Sequence, residues 1–317
     1  MKIRDIYQLC VEEGMKADPR TREQVRKYFS DKRKELRGLS ARDKKFFDKD
    51  CLFNPYADTR VLYGDPQREV RRILVGIDIG PGEIVMADQL AYRGDEIDLI
   101  IAHHPEGAAL AGLHDVMHMQ TDFLTNIGLK EESARQMMKS RIDEIGRRLH
   151  SINHTRAVDS ARLLDIPLMC CHTPADNHVN TYLQRLVNRE KPKTLKSIVG
   201  LLMKEPEYVE AARLKAGPEI LVGKESSKAG RVHVDMTGGT EGSATVFGRM
   251  SQCGVETLLG MHYSENHYKN IKAEHINVVN AGHMASDNLG MNLLLDKIEK
   301  KGKVEIIACS GFRRFRR

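Results

Sequence analysis

The period of the apolar positions changes near residue 66. Before it, Ile3, Ile6, Tyr7, Cys10 and Val11 recur at three- and four-residue spacing and predict a helix, weakened at its end by Gly14. Asp18-Pro19 opens a second, mostly charged helical stretch that runs to about Leu36. Asn54-Pro55 and Tyr63-Gly64-Asp65-Pro66 are turn-rich and put the boundary between an N-terminal extension and the main body at residues 50–66. Beyond it, short apolar runs alternate with helical periodicity. Strands are expected at Arg72–Asp78, Asp98–Ala102, Ile166–Cys171, Arg231–Met236, Glu256–Leu259, Ile276–Val279 and Val304–Ala308. Helices are expected at Ile84–Leu90, from about Lys130 to Leu164 with a break near Ser151, and over most of 177–215. Such alternation predicts an α/β fold with largely buried sheets. Neither a solenoid-type repeat nor a low-complexity segment interrupts it.

Three of these strands end in side chains that bind metals. Leu99-Ile-Ile-Ala102 breaks off into His103-His104-Pro105. Cys171 is followed by His172-Thr173-Pro174-Ala175-Asp176, and Val279 by Asn280-Ala281-Gly282-His283 with Asp287 four residues on. Ligands of open α/β sheets bind beyond the carboxyl ends of the strands, so three such ends form a site architecture. Neighbouring residues of a strand point to opposite faces, and Pro105 keeps His104 extended. The histidine pair therefore suits one ion each of a close pair. His283 and Asp287 share one face if helical.

Each segment also has an ordinary structural reading. Thr173-Pro-Ala-Asp176 matches a helix capping box with proline in its first turn. Asp287 near a helix start is favoured by the helix dipole. It is the joint occurrence that points to metal. Imidazole with carboxylate suits Zn, Fe, Mn or Ni, and the lack of a thiolate cluster argues against structural zinc. Two divalent ions against two carboxylates leave positive charge, which favours an anionic ligand. Other histidines carry less weight: His114 with His118, His150 with His154, and His262 with His267 around Glu265 as the best neighbours of the site. The glycine-rich Thr237–Ser243 lacks the lysine of a phosphate-binding loop and reads as a turn.

Composition narrows the class. With 41% apolar and 30% charged residues the chain reads as a soluble globular protein. No stretch approaches the ~18 apolar residues of a membrane span, and the start of the chain has no apolar signal core. Six cysteines without a paired spacing argue against a disulfide framework and fit a reducing cytoplasm. The net charge of +6 sits at the ends: residues 1–50 hold 15 Lys/Arg against 10 Asp/Glu, and the tail after Gly311 adds four arginines. A nucleic-acid role would have to rest on those ends.

The ordered set Asp98–Pro105, His172–Asp176 and Gly282–Asp287 resembles the Nif-three-like family of dinuclear-metal proteins, often called the GTP cyclohydrolase one, type two homologue family. The resemblance spans about residues 51–317. It implies two related α/β halves with the metal site in the cleft between them, and a ring-shaped homohexamer. It also implies two divalent ions per subunit, held by His103, His104, Asp176, His283 and Asp287, with His172 lining the site. Asp287 stands where the family usually has glutamate, and the stretch between His104 and His172 is longer than usual.

The expected organisation is a basic helical extension (1–50), a first α/β half (51–190) and a second (191–317). The expected function is a cytoplasmic, metal-dependent hydrolase acting on a phosphorylated, nucleotide or pterin-like small molecule through a metal-activated water, with His172 as acid or base. The alternative is a non-enzymatic metal carrier or regulatory scaffold, in one version associated with nucleic acid.

Overall fold

A computed structural model describes all 317 residues. Helices α1 (Ile3–Ala17) and α2 (Arg22–Gly38) lead through 3-10 turns to strand β1 (Thr59–Tyr63), followed by β2 (Arg72–Gly76), α3 (Pro81–Tyr92) and β3 (Leu99–Ala102). Next come α4 (Gly107–Ala111), α5 (Leu113–Val116), α6 (Met119–Ile127), α7 (Glu131–His150) and α8 (Arg156–Leu163). Strand β4 (Leu168–Cys171) precedes α9 (Thr173–Glu190), α10 (Leu195–Leu202) and α11 (Pro206–Arg213). The rest is β5 (Glu219–Val222), β6 (Val232–Asp235), α12 (Phe247–Gln252), β7 (Thr257–Gly260), α13 (Glu265–Ala273), β8 (Asn277–Asn280), α14 (His283–Lys301) and β9 (Glu305–Cys309).

The strands form two sheets, ordered β1-β4-β3-β2-β9 and β5-β8-β7-β6. In the first, β4, β3, β2 and β9 run parallel, and in the second β8, β7 and β6 do; each carries one antiparallel edge strand, β1 against β4 and β5 against β8, with β9 an addition to the shared pattern. Both edge strands have an irregular register, between Val61 and Tyr63 and between Ile220 and Val222. The halves thus repeat one topology. Sequence periodicity predicts the parallel strands because they are short apolar runs, mostly buried, with β9 a half-exposed edge. It misses β1 and β5, which are half-buried edges set among turn residues.

Helices α9 and α14 lie between the sheets and serve both. Ala175 of α9 and Met291, Leu294, Leu295 and Ile298 of α14 join the core under the first sheet with Ile73, Leu99 and Met169. Val179, Leu183, Ala285 and Leu289 join the core under the second sheet with Val234, Leu259 and Val279. The outer face of the first sheet is covered by α3 and α8, and that of the second by α6, α7, α12 and α13. The result is helix, sheet, helix, sheet, helix. At the crossing of the central helices only glycine fits: a Cβ on Gly290 would sit close against the Ala175 carbonyl oxygen.

Three placements differ from the expected organisation. Helix α1 packs its apolar stripe (Ile3, Ile6, Cys10, Val11) into the first core, so the extension proper is α2, which buries no residue. The closing strand β9, expected in the second half, pairs with β2 in the first sheet. The long stretch after His104 bolts onto the second sheet through Met117, Leu124, Met138 and Ile142. No helix is long and apolar enough to cross a membrane.

The C-terminal tail is docked rather than frayed. Asn288 and Asn292, one turn apart on α14, bond its backbone at Gly311, Arg313 and Phe315. Arg314 pairs with Asp296 and Glu299, Arg316 with Glu299, and Arg317 with Glu205 and Glu207. Much of the charge that a nucleic-acid role would need is already neutralised within the chain.

Candidate metal centre

The three strand ends meet at one cleft, and all six residues singled out in the sequence are there. Past β3 the sheet ladder continues, with the His103 and His104 amides donating to the Gly76 and Ile77 carbonyls. This fixes the backbone of both histidines, whose ring centres lie 5.3 Å apart. His172 caps α9 and Asp176 sits one turn in; His283 opens α14 and Asp287 sits one turn in. Two helix N-termini therefore face the cleft, and their partial positive charge favours the two carboxylates.

Asp287 is the hub. Its side chain is 1% exposed, with Oδ1 3.4 Å from His103 Nε2 and Oδ2 3.5 Å from His104 Nε2 and 3.3 Å from His283 Nε2. Asp176 Oδ1 lies 3.4 Å from the same His103 nitrogen. None of these contacts is a hydrogen bond of good geometry. His103 Nε2, Asp176 Oδ1 and both Asp287 oxygens are buried without a partner. Burying polar groups unpaired costs roughly 1–3 kcal/mol each, so a cluster of four asks for something between them. Candidate ligand atoms of His103, Asp176 and Asp287 lie within 4.8 Å of one another, as do those of His104, His283 and Asp287 and those of His103, His104 and His172. The donor set fits a divalent transition ion.

The other ring nitrogens are held from outside. His103 Nδ1 donates to the Cys171 carbonyl (3.2 Å), His104 Nδ1 to Asp78 Oδ1 (2.7 Å) and His172 Nδ1 to Asp58 Oδ2 (2.8 Å). Each bond leaves Nε2 aimed at the cleft, the arrangement that orients a metal-binding or proton-carrying imidazole. Thr173 Oγ1 also donates to Asp58, at 2.6 Å. The capping box expected at Thr173–Asp176 is absent, because His172 is the cap residue and makes no side-chain cap bond. Both side chains of that box have other work.

Electrostatics separate the carboxylates. Burial pushes Asp176 up to about 6 against the pull of His172 and His103. Burial opposes ionisation of Asp287 as well, but His103, His104 and His283 hold it well below the usual carboxylate range. His172 is drawn down by burial and lifted further by Asp176 and Asp58, reaching about 9.

Sequence reasoning missed Asp58 and Asp78, which lie in segments with no metal-binding pattern; only the structure brings them to the histidines. Of the weaker histidines, His262 stacks on His283 with ring centres 4.8 Å apart, and His267 lines the same cleft. Their carboxylate neighbour is Glu241 of the glycine-rich segment, not Glu265. His114, His118, His150 and His154 stand outside the cleft lining. The glycine-rich segment is a cleft wall: Gly238 and Gly239 both take left-handed backbone angles, and Gln120 donates to the Gly238 and Thr240 carbonyls at 2.7 Å.

Comparison with known proteins agrees with this architecture. A NIF3 superfamily protein from Sphaerobacter thermophilus is 28% identical, with a TM-score of 0.70 over 80% of this chain and 91% of that one. Two more distant structures share 14% identity: reduced HcgD from Methanocaldococcus jannaschii, with a TM-score of 0.48 over 78% of this chain and 87% of that one, and a NIF3-related protein of Bacillus cereus, with 0.41 over 79% and 89%. Among curated proteins, none matches the chain. Residues 145–311 match the DUF34/NIF3 (NGG1p interacting factor 3) family, and the chain belongs to that family.

Proposed function

We propose that this protein binds two divalent ions and is a metal-dependent hydrolase acting on an anionic small molecule of the phosphorylated, nucleotide or pterin-like class. The observation that carries the reading is Asp287, 1% exposed, with both oxygens unpartnered among three histidines. In this reading His103, Asp176 and Asp287 would hold one ion, and His104, His283 and Asp287 the other. The ions, of the Zn, Fe, Mn or Ni kind, supply Lewis acidity toward water and an anionic oxygen.

The chain's own residues do the rest. Asp58 fixes the His172 ring through Nδ1, which leaves Nε2 to hold or deliver a proton in the cleft. The N-termini of α9 and α14 favour the negative charge of ligand and carboxylates. Leu110, Leu113, Met236 and Met261 line the cleft and limit water.

A second reading, metal carriage, draws support from unequal burial: His103 is enclosed, while His104 and His283 are 28% and 39% exposed. An ion on the outer pair would then exchange with an acceptor. Elemental analysis of purified protein is expected to find two divalent ions per subunit, and His103→Ala to lower that number and abolish turnover of a phosphorylated or nucleotide substrate. No transition metal, before or after its addition, would remove both readings. Metal without turnover across a broad substrate panel, together with transfer to a chelator, would favour carriage. The ring-shaped homohexamer belongs to the same proposal and is read by mass photometry.

A further inference from the structure

The cleft extends well beyond the His/Asp group. Its volume is about 300 Å³, and its far wall is built from the end of β6, the glycine-rich segment and the loop after β7. Two carboxylates, Asp235 and Glu241, stand on that wall, and neither lysine nor arginine lines any part of the cleft. Asp235 makes no ion pair and accepts no hydrogen bond. Glu241 accepts the Ser264 amide through Oε1 at 2.6 Å. Its Oε2 faces His267 at 3.5 Å, but both nitrogens of that ring are already bonded to Ser264 Oγ and the Gly242 carbonyl. The Tyr263 phenol, also on this wall, is buried without a partner. Leu110, Leu113, Met236 and Met261 supply the apolar part of the same cleft lining.

We infer that this far wall is a subsite for the hydrogen-bond-donating edge of an amino-bearing nitrogen heterocycle, read by the Asp235 and Glu241 carboxylates. The apolar residues offer contact to the faces of a flat ring, and the carboxylates accept from N–H and NH2 groups along its edge. An acceptor edge would face two carboxylates with only the imidazoles of His262 and His267 beside Glu241 and no lysine or arginine. Glu241 is half-buried and Asp235 is open to the cleft, and a ligand without the matching donors leaves both carboxylates unpaired against it. The inference rests on the proposed function only for where the ligand's anionic end goes.

The test uses matched pairs that differ in one amino group: GMP against IMP, and AMP against purine riboside monophosphate, titrated calorimetrically into metal-loaded protein. The amino member is expected to bind at least tenfold more tightly. Asp235→Asn combined with Glu241→Gln is expected to bring the ratio to about one while metal content stays at the wild-type level. The nucleoside pair guanosine and inosine, which lacks an anion, reads the subsite on protein stripped of metal, so a failure of the metal reading alone leaves the guanosine preference intact. Equal affinity within every pair, or no binding of any member at millimolar concentration, overturns the inference. Loss of metal in the double variant overturns it as well, by assigning these carboxylates to an ion.

Discussion

A methyl group placed on Gly290 would lie 2.9 Å from the Ala175 carbonyl carbon and closer still to its oxygen. These two residues set how near α14 comes to α9. Asp176 follows Ala175 directly and Asp287 lies one turn before Gly290, so the crossing fixes the separation of the two carboxylates. Gly290→Ala is expected to destabilise the fold by about 1–3 kcal/mol through overpacking. It should also reduce metal content with all six cleft residues intact. Thermal unfolding combined with elemental analysis checks both.

Asp58 accepts from His172 and Thr173 inside the core. Both bonds share Oδ2, so Asp58→Ala removes the two together. The expected cost is about 1–3 kcal/mol in chemical denaturation. The His172 ring should lose its fixed orientation, visible as altered ring-nitrogen shifts in NMR, while metal content is kept. An unchanged His172 signal would count against the pairing.

Gln120 reaches from the long stretch after His104 to the glycine wall. Gln120→Ala removes both of its bonds to the Gly238 and Thr240 carbonyls. Hydrogen exchange at residues 237–243 is expected to accelerate at least tenfold, with β6 and β7 unaffected. Uniform protection would show that the wall holds itself.

The tail should behave as a fastener. Glu207 is fully buried and pairs with Arg317, so Arg317→Ala leaves a buried carboxylate short of its cation, at a cost of about 3 kcal/mol. Acid should loosen the same strap. Burial raises the pKa of Glu299, but Arg316 and Arg314 outweigh it and hold the group below its ordinary 4.5. A depressed carboxylate stabilises fully above its ordinary value and loses that contribution as pH falls through the lower one. Tail release, followed by fluorine-labelled Phe315, should therefore begin only below about pH 4.5. Release at neutral pH would contradict the pairing.

How much of this could be read from the chain depended on whether a feature was local. The parallel strands announce themselves as apolar runs, and the metal-capable side chains follow three of them within seven residues. Asp58 and Asp78 carry no such signal, since their partners His172 and His104 lie 114 and 26 residues away. Capping logic misled at Thr173 because the same residues satisfy a helix start and a buried bond to Asp58. The tail arginines read as free charge because their carboxylates are on α11 and α14, and only folding pairs them. Glu241 was hidden within a segment that looked like a turn and became a wall through Gln120, more than a hundred residues earlier.

The return of β9 to the first sheet has a consequence for how the molecule comes into being. The entire second half is threaded between β4 and β9, so the first sheet acquires its last strand only when residues 305–309 exist. Domains generally fold as units during synthesis, and distant pairings are slow to close. A nascent chain can form β1 to β4 and present His103, His104 and Asp176 long before His283 and Asp287 have left the ribosome. Metal offered at that stage meets half a site. Completion of the chain is the event that brings all six cleft residues together.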